Sequence, residues 1–330
     1  PFFSTHTPDS AISACLVGSE MCIRDRTSAV AIEGLNDSAF KVRLRRNFEI
    51  IQNVLENPTT VIGLVIVILM LLMALFAPII TEPNMPDPYQ MPRDWQAARS
   101  APLTPGHVLG TTNRGGDVFY GVVWGARTSL KLSLIVVSLT VVVGVIIGSV
   151  AGIVGGKVDE ILMRVVDVFL SIPELIFALA IAAILGPSFT NIILALVVVF
   201  WVKYARIMRA QVIRIKQRDY VDAARVMGDS KMQIYLKDIL PNSFSPVMVQ
   251  ATLDMGNIVL VGATLSFIGL SEAGIAEWGV LVSEGQAGIS AGRWWASTFP
   301  GLMVFLWALA FNLVGDGLRD VLDPRTETKR

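Results

Sequence analysis

Six stretches of this chain stay apolar for about the length that a membrane-crossing helix needs. Residues 61–80, VIGLVIVILMLLMALFAPII, and 132–154 carry no charge, and 165–185 is apolar except for Asp167 and Glu174. Residues 189–208 form a weaker run closing on Lys203 and Arg206, 247–270 holds one charge, Asp254, and 296–315 holds none. A bilayer core about 30 Å thick takes roughly 20 apolar residues as a helix. The pattern therefore predicts an all-α membrane protein with six transmembrane helices, because several runs pass 18 residues without a charge and exceed the core helices of a soluble fold. Between the fourth and fifth runs stands a polar interruption, DYVDAARVMGDSKMQIYLKDILPN at 219–242.

This interruption reads as two short helices around a glycine. Asp219 is placed to cap the first through its carboxylate, with Asp222 adding negative charge near the positive end. The helix runs to about Met227, and Gly228 supplies the left-handed residue that closes it. Ser230 and Gln233 form a capping box for the second helix, and Pro241 stops it before the fifth run. The spacing puts Val221, Ala224 and Met227 on one face and Met232, Tyr235 and Leu236 on another. Ala223 and Ala224 keep the first helix slim. Such a hairpin suits insertion into a groove of another protein or an interfacial position on lipid headgroups, and periodicity alone leaves both open.

Composition removes other classes. The chain has 330 residues, 53% hydrophobic and 16% charged, with a mean hydropathy of +0.60. A soluble domain carries about a quarter charged residues, and the zero net charge implies no nucleic acid partner. Cys15 and Cys22 cannot make a disulfide framework, His6 and His107 are far apart, and no metal-ligand cluster is assembled. The first 26 residues fit nothing that follows. SAISACLVGSEMCIRDR resembles translated sequencing-adapter read-through and is set outside the fold.

Charge placement predicts orientation. The flanks of one side, including Lys41, Arg43, Arg45, Arg46 and the stretch 203–243, hold nineteen Lys and Arg; the opposite side holds five. The positive-inside rule then puts both termini and 219–242 in the cytoplasm and the 81–127 and 271–295 loops outside. The expected organisation is an N-terminal tail over 1–40, a cytoplasmic segment and first helix over 41–80, and an extracytoplasmic loop over 81–127. A core over 128–320 containing the 209–243 hairpin and a tail over 321–330 complete it.

Other residues carry narrower expectations. Gly144, Gly148, Gly152 and Gly156 recur every four residues and predict a face for close helix packing; the GGK at 155–157 lacks the rest of a phosphate loop. Asp254 falls near mid-membrane, where a charge costs about 2.5–3.5 kcal/mol on insertion scales. It is read either as a structural contact with Gln250 or Asn257 or as part of a solute path with them. Asp167 is expected to pair with Arg164 at the inner surface, and Trp278, Trp294 and Trp295 to anchor at the membrane interface. The 81–106 segment, rich in Pro early, reads as an extended connector. Residues 107–127 read as an interfacial helix leading into the second span or as a docking surface.

The stretch 219–242 resembles the cytoplasmic signature of bacterial ABC-importer permeases, a Glu-Ala-Ala, three residues, then Gly, ending in Leu-Pro. Here Asp222, Ala223, Ala224, Gly228, Leu240 and Pro241 occupy those places. HVLGTTNRGGDVFYGVVWGARTSL, GGKVDEILMRVVDVFLSIPELIFALAIAAILGPS, ATLSFIGLS and FNLVGDGLRDVLDPR extend the likeness over about 41–325. They point to the second, shorter permease subunit of the dipeptide/oligopeptide branch. The resemblance implies a MetI-like ABC-importer permease bundle with one extra N-terminal helix, in a bacterial or archaeal cytoplasmic membrane. It implies a second permease subunit, two cytoplasmic ATPase subunits that bind the ATP, and an extracytoplasmic solute-binding protein, with no cofactor of the chain's own. Tyr220, Val221, Asp222, Ala223, Ala224, Met227, Gly228, Met232, Tyr235, Leu240 and Pro241 would then couple to the ATPase. Gly262 stands where many relatives have Glu. The alternative is a secondary, ion-coupled transporter, for which the chain offers no internal repeat.

Overall fold

The computed structural model describes residues 57–322. The expectations for the 1–40 tail, the basic cluster at 41–46, the two cysteines, His6 and the last eight residues lie outside the described residues.

Helix α1, Pro58–Ile80, opens with Pro58, and its Asn57 cap accepts from the Thr59 amide at 3.2 Å. Helix α2, Val118–Val154, has 37 residues, about 55 Å at 1.5 Å per residue. Helix α3, Gly156–Leu170, and α4, Glu174–Leu185, are bent by 86° at a short break. Helix α5 covers Phe189–Ile215, α6 Asp219–Val226 and α7 Lys231–Ile234. A π-helical turn, Tyr235–Ile239, runs into α8, Leu240–Ser243, and then α9, Ser245–Phe267. Helices α10, Trp278–Ile289, and α11, Trp295–Leu322, complete the bundle. Among the described residues β-pairing is limited to isolated bridges in the 81–117 loop and its contact with Ile275.

Five helices, α1, α2, α5, α9 and α11, are long and apolar enough to cross a membrane, and six spans result if the bent α3–α4 pair is one. That pair corrects the straight third span over 165–185. Pro173 donates no amide hydrogen and disfavours helix at Ile172, so the apolar run breaks while staying apolar. The second apolar run also starts earlier than its uncharged stretch. GVVWGARTSL is no separate interfacial helix but lies within α2, its residues mostly buried.

Close packing organises the bundle. Helix α2 lies along α5, and an added Cβ would fall 2.7 Å from the Trp201 carbonyl oxygen at Gly144, 2.9 Å from Met208 Cβ at Gly148 and 2.7 Å from Val212 Cγ1 at Gly152. Backbone contact at this seam is open only to glycine. Gly156 is a correction: it lies past the end of α2, at φ +56 in open space, and serves the tight turn into α3. One apolar core joins α2, α5, α9 and the hairpin. A second, rich in aromatics, joins α1, the start of α2, α10 and α11. Trp278 belongs to the second and is fully buried, its Nε1 donating to the Val122 carbonyl at 3.0 Å; Trp295 is also buried and donates to Thr111. Only Trp294 of the three expected anchors is exposed. Arg164 pairs with Glu160, whereas Asp167 meets Arg206 of α5 at 2.5 Å, a partner from another helix that local spacing does not bring in.

Candidate functional site

The polar hairpin lies where α5 ends and α9 begins. Helix α6 starts at Asp219 itself, so Asp219 is its first residue and not its cap; Arg218 takes the cap position without a side-chain bond. Asp222 instead holds Arg225 at 2.6 Å on the same helix. Gly228, at φ +90 with open space around its missing Cβ, makes the turn. Ser230 accepts from the Gln233 amide and Gln233 Oε1 accepts from the Ser230 amide, closing the capping box. Pro241 does not end the helical path. The turn before it widens to π-helix, with the Leu240 amide donating to the Tyr235 carbonyl, and Pro241 sits in the first turn of α8, where its missing amide hydrogen is no loss.

The two faces of the hairpin divide differently from the sequence spacing. Val221 and Ala224 are buried in the chain's own core, with Ile234 and Ile239. Tyr235 is half-buried, its hydroxyl donating to Ser149 Oγ of α2 at 2.9 Å. Lys216 Nζ adds a bond to the Ile153 carbonyl at 2.8 Å. Val221, Ala224 and Tyr235 therefore fasten the hairpin to the bundle and are not open to a partner. Met227 leaves their face because it caps α6 and is 78% exposed. Leu240 is half-buried, and Asp222, Ala223, Gly228 and Pro241 are exposed. Tyr220, Val226, Met227, Met232 and Leu236 form the outward apolar set, with Val226 87% exposed. Val226 escaped the sequence reading because periodicity assigns a face within a helix but not which face the rest of the bundle covers.

A second polar group lies inside the spans. Asp254 is 2% exposed; its Oδ1 accepts from Gln250 Nε2 at 3.1 Å. Asn257 turns elsewhere, donating to Glu174 Oε1 at 3.2 Å, and Glu174 also pairs with Lys203. Asp254 Oδ2 is buried beside the Tyr204 hydroxyl of α5. Gln250 and Asp254 thus pair on α9 beside Tyr204 of α5, while Asn257, Glu174 and Lys203 tie α9 to α5 and to the first turn of α4, just past the 86° break. Sequence spacing missed Glu174 and Lys203 because the contacts are made between helices distant in the chain.

The far end of the bundle is built from the 81–117 loop, the 268–277 segment and α10. Met91 donates to the Gly274 carbonyl at 2.9 Å and the Ala276 amide to Tyr89 at 2.6 Å, so the two loops are stitched by their backbones. Glu277 caps α10, its Oε2 accepting from the Val280 amide at 3.0 Å. Burial pushes its carboxyl above the ordinary range, against the lowering effect of the backbone amides it accepts from.

Comparison with known proteins places these features. Residues 144–328 match the family described as "Binding-protein-dependent transport system inner membrane component", and 49–102 match "N-terminal TM domain of oligopeptide transport permease C". The Escherichia coli (strain K12) dipeptide transport system permease protein DppC is 43% identical over 82% of this chain and 90% of its own length. The probable D,D-dipeptide transport system permease protein DdpC of the same strain is 40% identical over 83% and 90%. The DppC of Alkalihalophilus pseudofirmus is 35% identical over 83% and 88%.

Proposed function

Because this chain belongs to the family of inner membrane components of binding-protein-dependent transport systems, we propose that it is one of two permease subunits of an ATP-driven importer of peptide-class solutes. In this reading it forms half of the translocation path beside a second, non-identical permease chain. Two ATPase subunits bind on the cytoplasmic side and a solute-binding protein delivers from outside. Both termini and the 219–242 hairpin face the cytoplasm, as the sided Lys and Arg require. An ion-coupled mechanism is set aside by the family.

The observation that carries the coupling role is the two-faced hairpin. Its inner face is packed into the bundle core and bonded to α2, while Tyr220, Val226, Met227, Met232 and Leu236 leave an apolar face uncovered. A partner gripping that face moves α5 and α9 with it. Nucleotide then shifts the bundle between outward- and inward-open states only by as much as its contacts differ between them. Two polar groups, Gln250 with Asp254 and Asn257 with Glu174 and Lys203, lie on the helices so moved and would line or brace the path.

The test alters the elbow without touching its buried face. Gly228→Val, or Met232→Asp on the uncovered face, should leave membrane insertion and assembly intact and abolish solute-stimulated ATP hydrolysis in the purified complex. Solute-stimulated hydrolysis at the wild-type rate in both variants would rule the coupling role out.

A further inference from the structure

At the end of the bundle away from the hairpin, a recess of about 340 Å³ opens between the 112–114 turn, the end of α9 and α10. Glu284 of α10 lines it. Its side chain is 6% exposed, and among the described residues both Oε1 and Oε2 lack a hydrogen-bond partner. Ser271 Oγ, on the same wall, is also buried and unpartnered. Leaving a buried carboxylate unbonded is costly, so the arrangement needs a reason.

The backbone that carries Glu284 is closely seated: an added Cβ at the next residue, Gly285, would fall 2.6 Å from the Ser297 amide nitrogen, so α10 lies in backbone contact with α11. Asn113 Nδ2 donates to the Glu284 carbonyl at 3.2 Å and holds the loop over the recess. Arg114 stands at the mouth, 58% exposed, with Nη1 3.8 Å from Oε1, beyond a hydrogen bond. Glu272, on the rim, is held by the Ser188 hydroxyl at 3.2 Å.

The wall therefore offers acceptors and one loose, competing cation. An ionised carboxylate only accepts, and a hydroxyl accepts readily; the complementary group is a compact cation with several N–H donors. The described residues contain no group of three or more His, Cys, Asp and Glu that could hold a metal ion. We propose that the recess binds a primary ammonium group, the free amino terminus of a peptide-class solute, with Glu284 as its counterion, Ser271 as a further acceptor and Arg114 as the cation it displaces. This rests on the importer reading and adds to it a place where the permease itself selects for a free amine.

The experiment uses the permease complex with its ATPase partners in lipid nanodiscs, without the binding protein, titrated with L-alanyl-L-alanine and with its N-acetylated form. The wild type should bind the free amine and bind the acetylated form at least about tenfold more weakly, as loss of a charge-assisted bond implies. Glu284→Gln should bring the free amine down to the acetylated level, and Arg114→Ala should tighten it. If both variants shift the two probes alike, Glu284 and Arg114 are a structural pair and the proposal falls. It falls equally if the wild type binds neither probe, or if, in a separate titration with the solute-free binding protein added, Glu284→Gln weakens only that docking, which would assign the recess to a lysine of that protein. ATP-driven uptake by the wild-type complex, reconstituted in sealed proteoliposomes with its binding protein, is measured alongside. Absent uptake overturns the importer reading, whereas uptake with no amine preference in the nanodisc assay overturns the ammonium site alone.

Discussion

Three glycines of this chain do three different jobs, and a side chain would fail at each for its own reason. Gly148 is pressed against α5, Gly228 stands in open space at φ +90, and Gly156 closes a turn between two helices. Gly148→Leu forces the α2–α5 seam apart and should cost at least the 1–3 kcal/mol or so of core overpacking, read as a lower unfolding temperature in detergent. Gly156→Ala meets no neighbour and should cost only about the 1–2 kcal/mol of a left-handed residue. Glu277 makes a pH prediction. Burial raises its folded pKa above the unfolded value, so its contribution is full below the ordinary glutamate range and is lost as pH rises through the folded value. Glu277→Gln should remove that decline, and thermal unfolding of both proteins from pH 4 to about pH 8 checks it. At Asp254 the Gln250 bond survives an amide, so Asp254→Asn with unchanged uptake marks a bracing role, and lost uptake with unchanged unfolding temperature marks a path role.

At the scale of elements, the hairpin, the π-turn and the α3–α4 break decide how motion could pass through the bundle. The hairpin is no free arm. Tyr235 bonds to Ser149, and the π-turn sets the register in which Ile234 and Ile239 reach the core while Met232 and Leu236 point out. Restoring a plain helix by Pro241→Ala should rotate the outward residues and lower ATPase coupling with little change in stability, measured as solute-stimulated hydrolysis against unfolding temperature. Replacing Val226 and Met227 with Asp should prevent ATPase co-purification while leaving the permease folded, because the change falls on the uncovered face. Much of this element was readable beforehand: the capping box and the left-handed glycine are local chemistry. Its cap, its helix end at Pro241 and its inner face were not, since each depends on what the rest of the bundle places beside it.

At the scale of the molecule, the bundle has a membrane-length middle and a built end away from the hairpin. Helix α2, at about 55 Å, is longer than the roughly 30 Å hydrocarbon core, and its first turns are buried among α10, α11 and the 81–117 loop. The sided charges predict that Lys231→Cys in a cysteine-free background is labelled by an impermeant reagent only from the cytoplasmic face. Leu103→Cys, on the exposed loop, should be labelled only from outside; the reverse pattern would invert the topology. Hydropathy by itself determined that this chain is helical, that it carries apolar runs long enough to cross a bilayer, and where a polar elbow interrupts them, because these are sums over neighbours in sequence. The tertiary structure alone decided that Trp278 is core, that Asp167 meets Arg206, that Asn257 turns to Glu174, and that Glu284 is buried with Arg114 at 3.8 Å, short of a hydrogen bond. In each case the energy of a polar or aromatic side chain is settled by groups brought from another helix, and no local period records which groups those are.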